Sequence, residues 1–445
     1  MTRERLLAVA CRIGDRLCTL ATGDALGVNW IGATFTPENQ WLLTATKADL
    51  YAGNTGIIFF LSYLGIITGN TKYSDVVEAA YLTMYRQVVR CEAPLQAVGL
   101  FEGLGSVIYL LSHLGAIWND YSMLTEAHRL AKRLPDLIQK DTAFDLLSGS
   151  AGCILSLLSL YHVFPEAEIL SIACMCGDHL LENARPAKDG LAWTSSVGVE
   201  PRTGMSHGTA GCSLSLFALA AISGEERFHK LALATLAYER SVFSPQAQNW
   251  PDLLEAEESV EATWCHGAPG IALSRLASLR YIDDEQIRAE IAVALKTTVA
   301  HFGRNHSLCH GDLGNLETLL LATQSLDDAW CHEQFNYFRG VILDSIETDG
   351  WLTATALKSN RERRSLAASE VATTQQAQAD QYCRKVTASQ ATSLTRLSST
   401  ALSIETPGLM TGLAGIGYEL LRLAEPERVP SVLVAAPPFT KIAQR

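Results

Sequence analysis

The sequence is poor in charge, and poorer in positive than in negative charge. Charged residues fill 18% of its 445 positions, and 35 lysines and arginines face 47 aspartates and glutamates, a formal net charge of −12. An acidic surface disfavours nucleic acid as the main partner and suits a basic or neutral one. The N-terminus lacks the apolar core a signal peptide needs, because Arg3, Glu4, Arg5, Arg12, Asp15 and Arg16 interrupt its first 20 residues. Long apolar spans are missing too. The uncharged stretch from Leu50 to Thr71 contains Gly53, Asn54, Gly56, Gly65, Gly69 and Asn70. It reads as a buried helix with a loop at each end, whereas a membrane span needs about 20 mainly apolar residues. No transmembrane segment is expected, and the expected location is cytoplasmic. The 11 cysteines are odd in number and scattered, which argues against a disulfide framework.

What the chain has is glycine in a pattern, on a background that is 48% hydrophobic and able to bury a large core. Gly53/Gly56, Gly149/Gly152, Gly208/Gly211, Gly267/Gly270, Gly311/Gly314 and Gly412/Gly415 form Gly-x-x-Gly pairs, and Gly103 to Ser106 has the same surroundings. Chance placement of the glycines gives about two such pairs, so the excess points to a repeat. Each pair is followed by an apolar run, such as IIFFLSYLG after Gly56 or CSLSLFALA after Gly211, of the kind found in helices buried all round. Between the runs lie stretches with charge on one face, including Tyr73–Arg90, Tyr121–Gln139, Glu226–Tyr238 and Glu285–Phe302, which read as outer helices. The spacing therefore predicts an all-α array of seven helical pairs. Periodicity leaves open whether the array closes into a ring. Residues 1–49 are expected to be a helical lead-in. Residues 352–405, rich in Ala, Ser, Thr, Gln and Arg, are expected to be a mobile insertion that lengthens the last repeat.

Aligning the loops on their first glycine exposes the chemistry. The residue before it is Ala52, Glu102, Ser148, His207, His266, His310 or Thr411, and the one before that is Tyr51, Phe101, Leu147, Ser206, Cys265, Cys309 or Met410. Equivalent positions of a repeat array point to equivalent places. Three consecutive loops thus bring His207, Cys265-His266 and Cys309-His310 to one register. Thiolate and imidazole are donors that zinc prefers and that calcium and magnesium do not. Four ligands (Cys265, His266, Cys309 and His310) would close the site, whereas Cys265, Cys309 and His310 alone would leave a position for chemistry. His207 can transfer protons or cap a helix. Asp145, in the otherwise apolar segment AFDLLSG, is an acid/base or orienting group, or an N-cap.

At Trp264-Cys265-His266-Gly267-Ala268-Pro269-Gly270 and Leu308-Cys309-His310-Gly311-x-x-Gly314-Asn315 the chain resembles the LanC-like lanthipeptide cyclases. Ser206-His207-Gly208, Tyr51-x-Gly53-x-x-Gly56 and Gly408 to Gly415 extend the match, and Val429-Pro430-Ser431-Val432-Leu433 is similar to the end of class II lanthipeptide synthetases. The resemblance implies one cyclase domain over residues 1–445, folded as an α/α toroid of seven inner and seven outer helices. It implies one Zn2+ per chain held by Cys265, Cys309 and His310, with His266 not a ligand, and His207 and Asp145 at proton-transfer positions. Some relatives have an Arg four residues before the first zinc cysteine. Glu261 stands there in this chain, so no role of that Arg carries over. The implied reaction closes thioether rings by adding peptide cysteines to dehydroalanine or dehydrobutyrine. No segment matches a dehydratase, so the chain is expected to be either a free-standing or split cyclase, with a separate dehydratase as partner, or a fragment of a longer synthetase. The implied substrate in each case is a dehydrated precursor peptide. Rival readings are a LanC-like enzyme that adds glutathione to dehydroamino acids, and a non-catalytic helical scaffold with a zinc staple. A prenyltransferase or terpene cyclase fits poorly, for want of an Asp-Asp-x-x-Asp run.

Overall fold

A computed structural model describes residues 2–24, 27–35, 41–89, 95–194, 200–252, 261–354 and 405–439. The apolar runs form seven inner helices: α2 (Asn54–Thr68), α4 (Leu104–Trp118), α7 (Ser150–Val163), α9 (Thr209–Ser223), α11 (Ala268–Ser278), α13 (Asp312–Ser325) and α15 (Leu413–Ala424). Each is buried on almost every face, as an apolar composition without a polar stripe requires. The first six pack against the polar-faced helices that follow them: α3 (Thr71–Val88), α5 (Tyr121–Ala131), α8 (Ala167–Asn183), α10 (Glu226–Ser241), α12 (Glu285–Val299) and α14 (Ala329–Asp349). A short α6 (Leu134–Ile138) extends α5. The seventh inner helix is covered by α1 (Thr2–Leu20) from the other end of the chain. Inner helices touch their neighbours all the way round, including α15 against α2, so the array is a closed α/α toroid of seven inner and seven outer helices.

Two expectations need correction. Residues 1–49 are not a helical lead-in throughout: among the described residues only Thr2–Leu20 is helix, and it is an integral outer helix. Four short strands pair antiparallel in this stretch, β1 (Thr22–Asp24) with β2 (Gly27–Asn29) and β3 (Ile31–Phe35) with β4 (Trp41–Ala45). Threonine, valine, isoleucine and aromatics in this stretch favour strands over helix. Likewise, Tyr121–Gln139 is not one helix. It breaks between Ala131 and Leu134, with Pro135 in the first turn of α6, a position that has no backbone N–H to lose. A third antiparallel pair joins β5 (Arg185–Ala187) to β6 (Gly190–Ala192). The 352–405 insertion lies outside the described residues except at its ends, where the Trp351 indole donates to Glu405 Oε1 at 2.8 Å. Among the described residues no helix is long and apolar enough to cross a membrane.

The glycine loops meet at one end of the ring. Their backbones hydrogen-bond from repeat to repeat: Tyr51 N to Phe101 O at 3.0 Å, Phe101 N to Leu147 O at 3.0 Å, and Leu147 N to Ser206 O at 3.2 Å. Across the seam Cys309 N donates to Met410 O at 2.9 Å and Met410 N to Tyr51 O at 2.8 Å. The second glycine of each pair permits this approach. A Cβ at Gly152 would stand 2.0 Å from Leu146 O and 2.5 Å from Leu100 N, backbone atoms of its own and the preceding loop. Residues 429–436 run inside the ring. Their carbonyls accept from Tyr418 at Pro430 (2.7 Å), Trp264 at Leu433 (3.1 Å) and Tyr109 at Ala436 (2.7 Å). The Trp264 and Phe101 rings meet edge-on across the axis at 5.2 Å and floor the mouth.

Candidate metal centre

Cys265 and Cys309 end the loops that lead into α11 and α13, and both are buried. Their sulphurs and one ring nitrogen of His310 all lie within 4.8 Å of one another. These three residues can hold a metal ion. Among the described residues His310 Nδ1 is buried without a hydrogen-bond partner, a state that costs free energy unless something else pairs with it. Each sulphur has a hydroxyl neighbour: Thr263 Oγ1 at 3.3 Å from Cys265, and Tyr51 Oη donating to Cys309 at 3.1 Å. The hydrogen bond from Cys309 holds the Cys265 thiol well below its ordinary pKa against burial, with His310 and His266 adding to the effect. Burial pushes the Cys309 thiol up, and the charge on Cys265 adds to it. Two thiols and an imidazole with an orphaned nitrogen form a donor set suited to zinc.

His207 and Asp145 sit on the same mouth. The N-cap residue of α7 is Gly149 rather than Asp145, and Asp145 is buried. Its Oδ1 accepts from Ser148 N at 2.8 Å and Gly149 N at 3.1 Å, and its Oδ2 holds His207 Nδ1 at 2.7 Å. Among the described residues Nε2 of His207 has no hydrogen-bond partner. The His207 ring stacks on His266 with centroids 6.4 Å apart.

His266 is outside the three-residue cluster. Its Nε2 accepts from Arg202 Nη2 at 3.1 Å, and its Nδ1 is 3.4 Å from Asp252 Oδ2. Arg202 in turn pairs with Asp252 at 3.1 Å and lines a small cleft with Asp145, Trp193, His207 and Thr209. Sequence reasoning did not single out Arg202 and Asp252, and no signal marked them, because neither falls in the loop register and they lie 50 residues apart. Tyr51 and Glu102 were in that register, but nothing assigned them a task. Glu102 Oε2 accepts from Ser148 Oγ at 2.9 Å, which links the second and third loops at the rim.

A family described as "Lanthionine synthetase C-like protein" matches residues 44–368 and 363–434. The chain is 20% identical over 317 residues to the lacticin 481/lactococcin biosynthesis protein LcnDR2 of Lactococcus lactis subsp. lactis. That alignment covers 68% of this chain and 32% of the relative, so the chain spans about a third of that protein's length. Among solved structures, nisin cyclase superposes with a TM-score of 0.58 at 15% identity, covering 87% of this chain and 92% of that one. At that identity the likeness speaks for the fold alone.

Proposed function

Since the chain belongs to the lanthionine synthetase C-like family, we propose that it is a zinc-dependent lanthipeptide cyclase. In this reading it joins peptide cysteine thiols to dehydroalanine or dehydrobutyrine as (methyl)lanthionine thioethers. The observation that carries the reading is the Cys265–Cys309–His310 cluster, with its orphaned His310 nitrogen, on the same mouth as the His207–Asp145 pair. Cys265, Cys309 and His310 would hold one zinc ion, which when bound supplies the Lewis acidity that brings a thiol's pKa toward neutrality.

The chain's own residues account for the proton. Ring closure forms a bond from sulphur to the β-carbon, breaks the S–H bond and the carbon–carbon double bond, and leaves a proton to be placed on the α-carbon. His207 is suited to carry it. Asp145 accepts from Nδ1–H, which fixes the tautomer and leaves Nε2 to take the thiol proton and then deliver it. Asp145 is itself fixed by the Ser148 and Gly149 amides, so the pair is preorganised. Phe101 and Trp264, both buried and in edge-on contact, pack beside the loops that carry the site.

The test begins with metal content. Wild type should carry about one zinc per chain, and Cys265→Ala and Cys309→Ala should lose it. With a peptide already dehydrated, both variants should fall to the uncatalysed rate of ring closure. His207→Asn should retain zinc and lose about 10²–10⁴-fold in rate, the range of a general acid–base catalyst. Wild-type rates in Cys309→Ala would sink the reading. Glutathione as competing thiol shows whether the donor is the peptide's own cysteine.

A further inference from the structure

Tyr51 belongs to the first repeat and Cys309 to the sixth, 258 residues apart. Three hydrogen bonds close on one another where the ring is sealed. Cys309 N donates to Met410 O, Met410 N donates to Tyr51 O, and Tyr51 Oη returns to Cys309 Sγ at 3.1 Å. Tyr51 is further pinned by its own N–H on Phe101 O at 3.0 Å. The phenol is therefore aimed by backbone on two sides. Phe101, its counterpart in the next loop, has no hydroxyl and packs on Trp264 instead.

We propose that Tyr51 is a positioning residue for Cys309, holding its sulphur toward the cation and drawing off part of its charge through the hydroxyl. The proposal rests on the reading of Cys309 as a metal ligand. A donor to a thiolate ligand fixes the sulphur's rotamer and weakens its donation to the metal, which leaves the metal the stronger Lewis acid. Thr263 is placed to do the same for Cys265 less completely, since its hydroxyl also lies 3.5 Å from His266 O.

The experiment compares wild type with Tyr51→Phe, using zinc and cobalt ions alone as probes. Chelator competition should show zinc bound about tenfold more weakly in the variant, at the low end of what loss of a ligand's hydrogen-bond partner costs. In the cobalt-loaded chain the sulphur-to-cobalt charge-transfer band should move to longer wavelength, because the uncompensated thiolate gives up its electron more easily. Affinity within twofold of wild type together with an unmoved band would overturn the proposal while leaving the cyclase reading intact. A wild type that binds neither ion would overturn both. If Tyr51→Phe does not fold, fluorotyrosine incorporated at position 51 tests the same bond. Its more acidic hydroxyl should move the band to shorter wavelength, and no movement overturns the proposal.

Discussion

At the scale of single residues, the legible part of the site was the part written as a local motif. Cys265-His266-Gly267 and Cys309-His310-Gly311 repeat one another, so their register alone placed them together. Tyr51, Arg202 and Asp252 were not legible in that way. Their partners are made by ring closure or by loops outside the repeat, and nothing local distinguishes them from packed or surface residues. His306, just before the second motif, shows the same limit and carries its own prediction. It is buried, its Nδ1 accepts from Leu352 N at 2.9 Å, and burial pushes its pKa down to about 4. Between about pH 4 and 6.5 the unfolded chain holds a proton there that the folded chain does not. Stability from this group is therefore full above about pH 6.5 and falls as pH drops toward 4, by up to about 3 kcal/mol. His306→Asn keeps an acceptor for the Leu352 amide but does not titrate. Urea unfolding at pH 7.5 and pH 5 should show wild type losing more stability than the variant. Equal losses would mean that His306 is protonated in the fold.

At the scale of elements, the inner helices were read well because a run apolar on every side has to be covered on every side by other elements. The outer helices were read less well at their ends, where Pro135 divides one of them, and the paired strands between Thr22 and Ala45 are too short to show a period. The glycines separate two kinds of constraint. Gly152 lies inside α7 against backbone of its own loop and of the preceding one, where a Cβ would stand only 2.0 Å from Leu146 O. Gly340 lies inside α14 with nothing among the described residues within 4 Å of where a Cβ would stand. Gly152→Ala should cost about 1–3 kcal/mol through forced displacement of neighbouring loops. Gly340→Ala should add about 0.5–1 kcal/mol, because alanine loses less backbone freedom on folding. Chemical denaturation of the two variants checks both signs, and a cost at Gly340 would overturn the second.

At the scale of the whole molecule, periodicity predicted seven pairs but not the closed ring, because closure depends on the two ends of the chain and not on any repeat. The seal has three parts. α1 lays Leu6, Val9, Ala10, Ile13 and Leu17, a helical stripe, against α15. The Tyr51–Met410–Cys309 bonds join the loops above, and residues 429–436 fill the axis from within. An open array unfolds by neighbouring units, since each repeat contacts only those beside it. A ring sealed in this way has no end from which to fray. Ile13→Ala removes a fully buried side chain at the seal, a change that costs about 2–5 kcal/mol. In a closed ring that loss is felt everywhere. Far-ultraviolet circular dichroism and the fluorescence of the tryptophans, Trp264 at the mouth among them, should then move together to a lower midpoint as one transition. In an open array the α1–α15 end would instead melt first, and the two signals would separate. Separate transitions in the variant, with a single one in wild type, would place the stability of the metal loops in their own repeats rather than in closure of the ring.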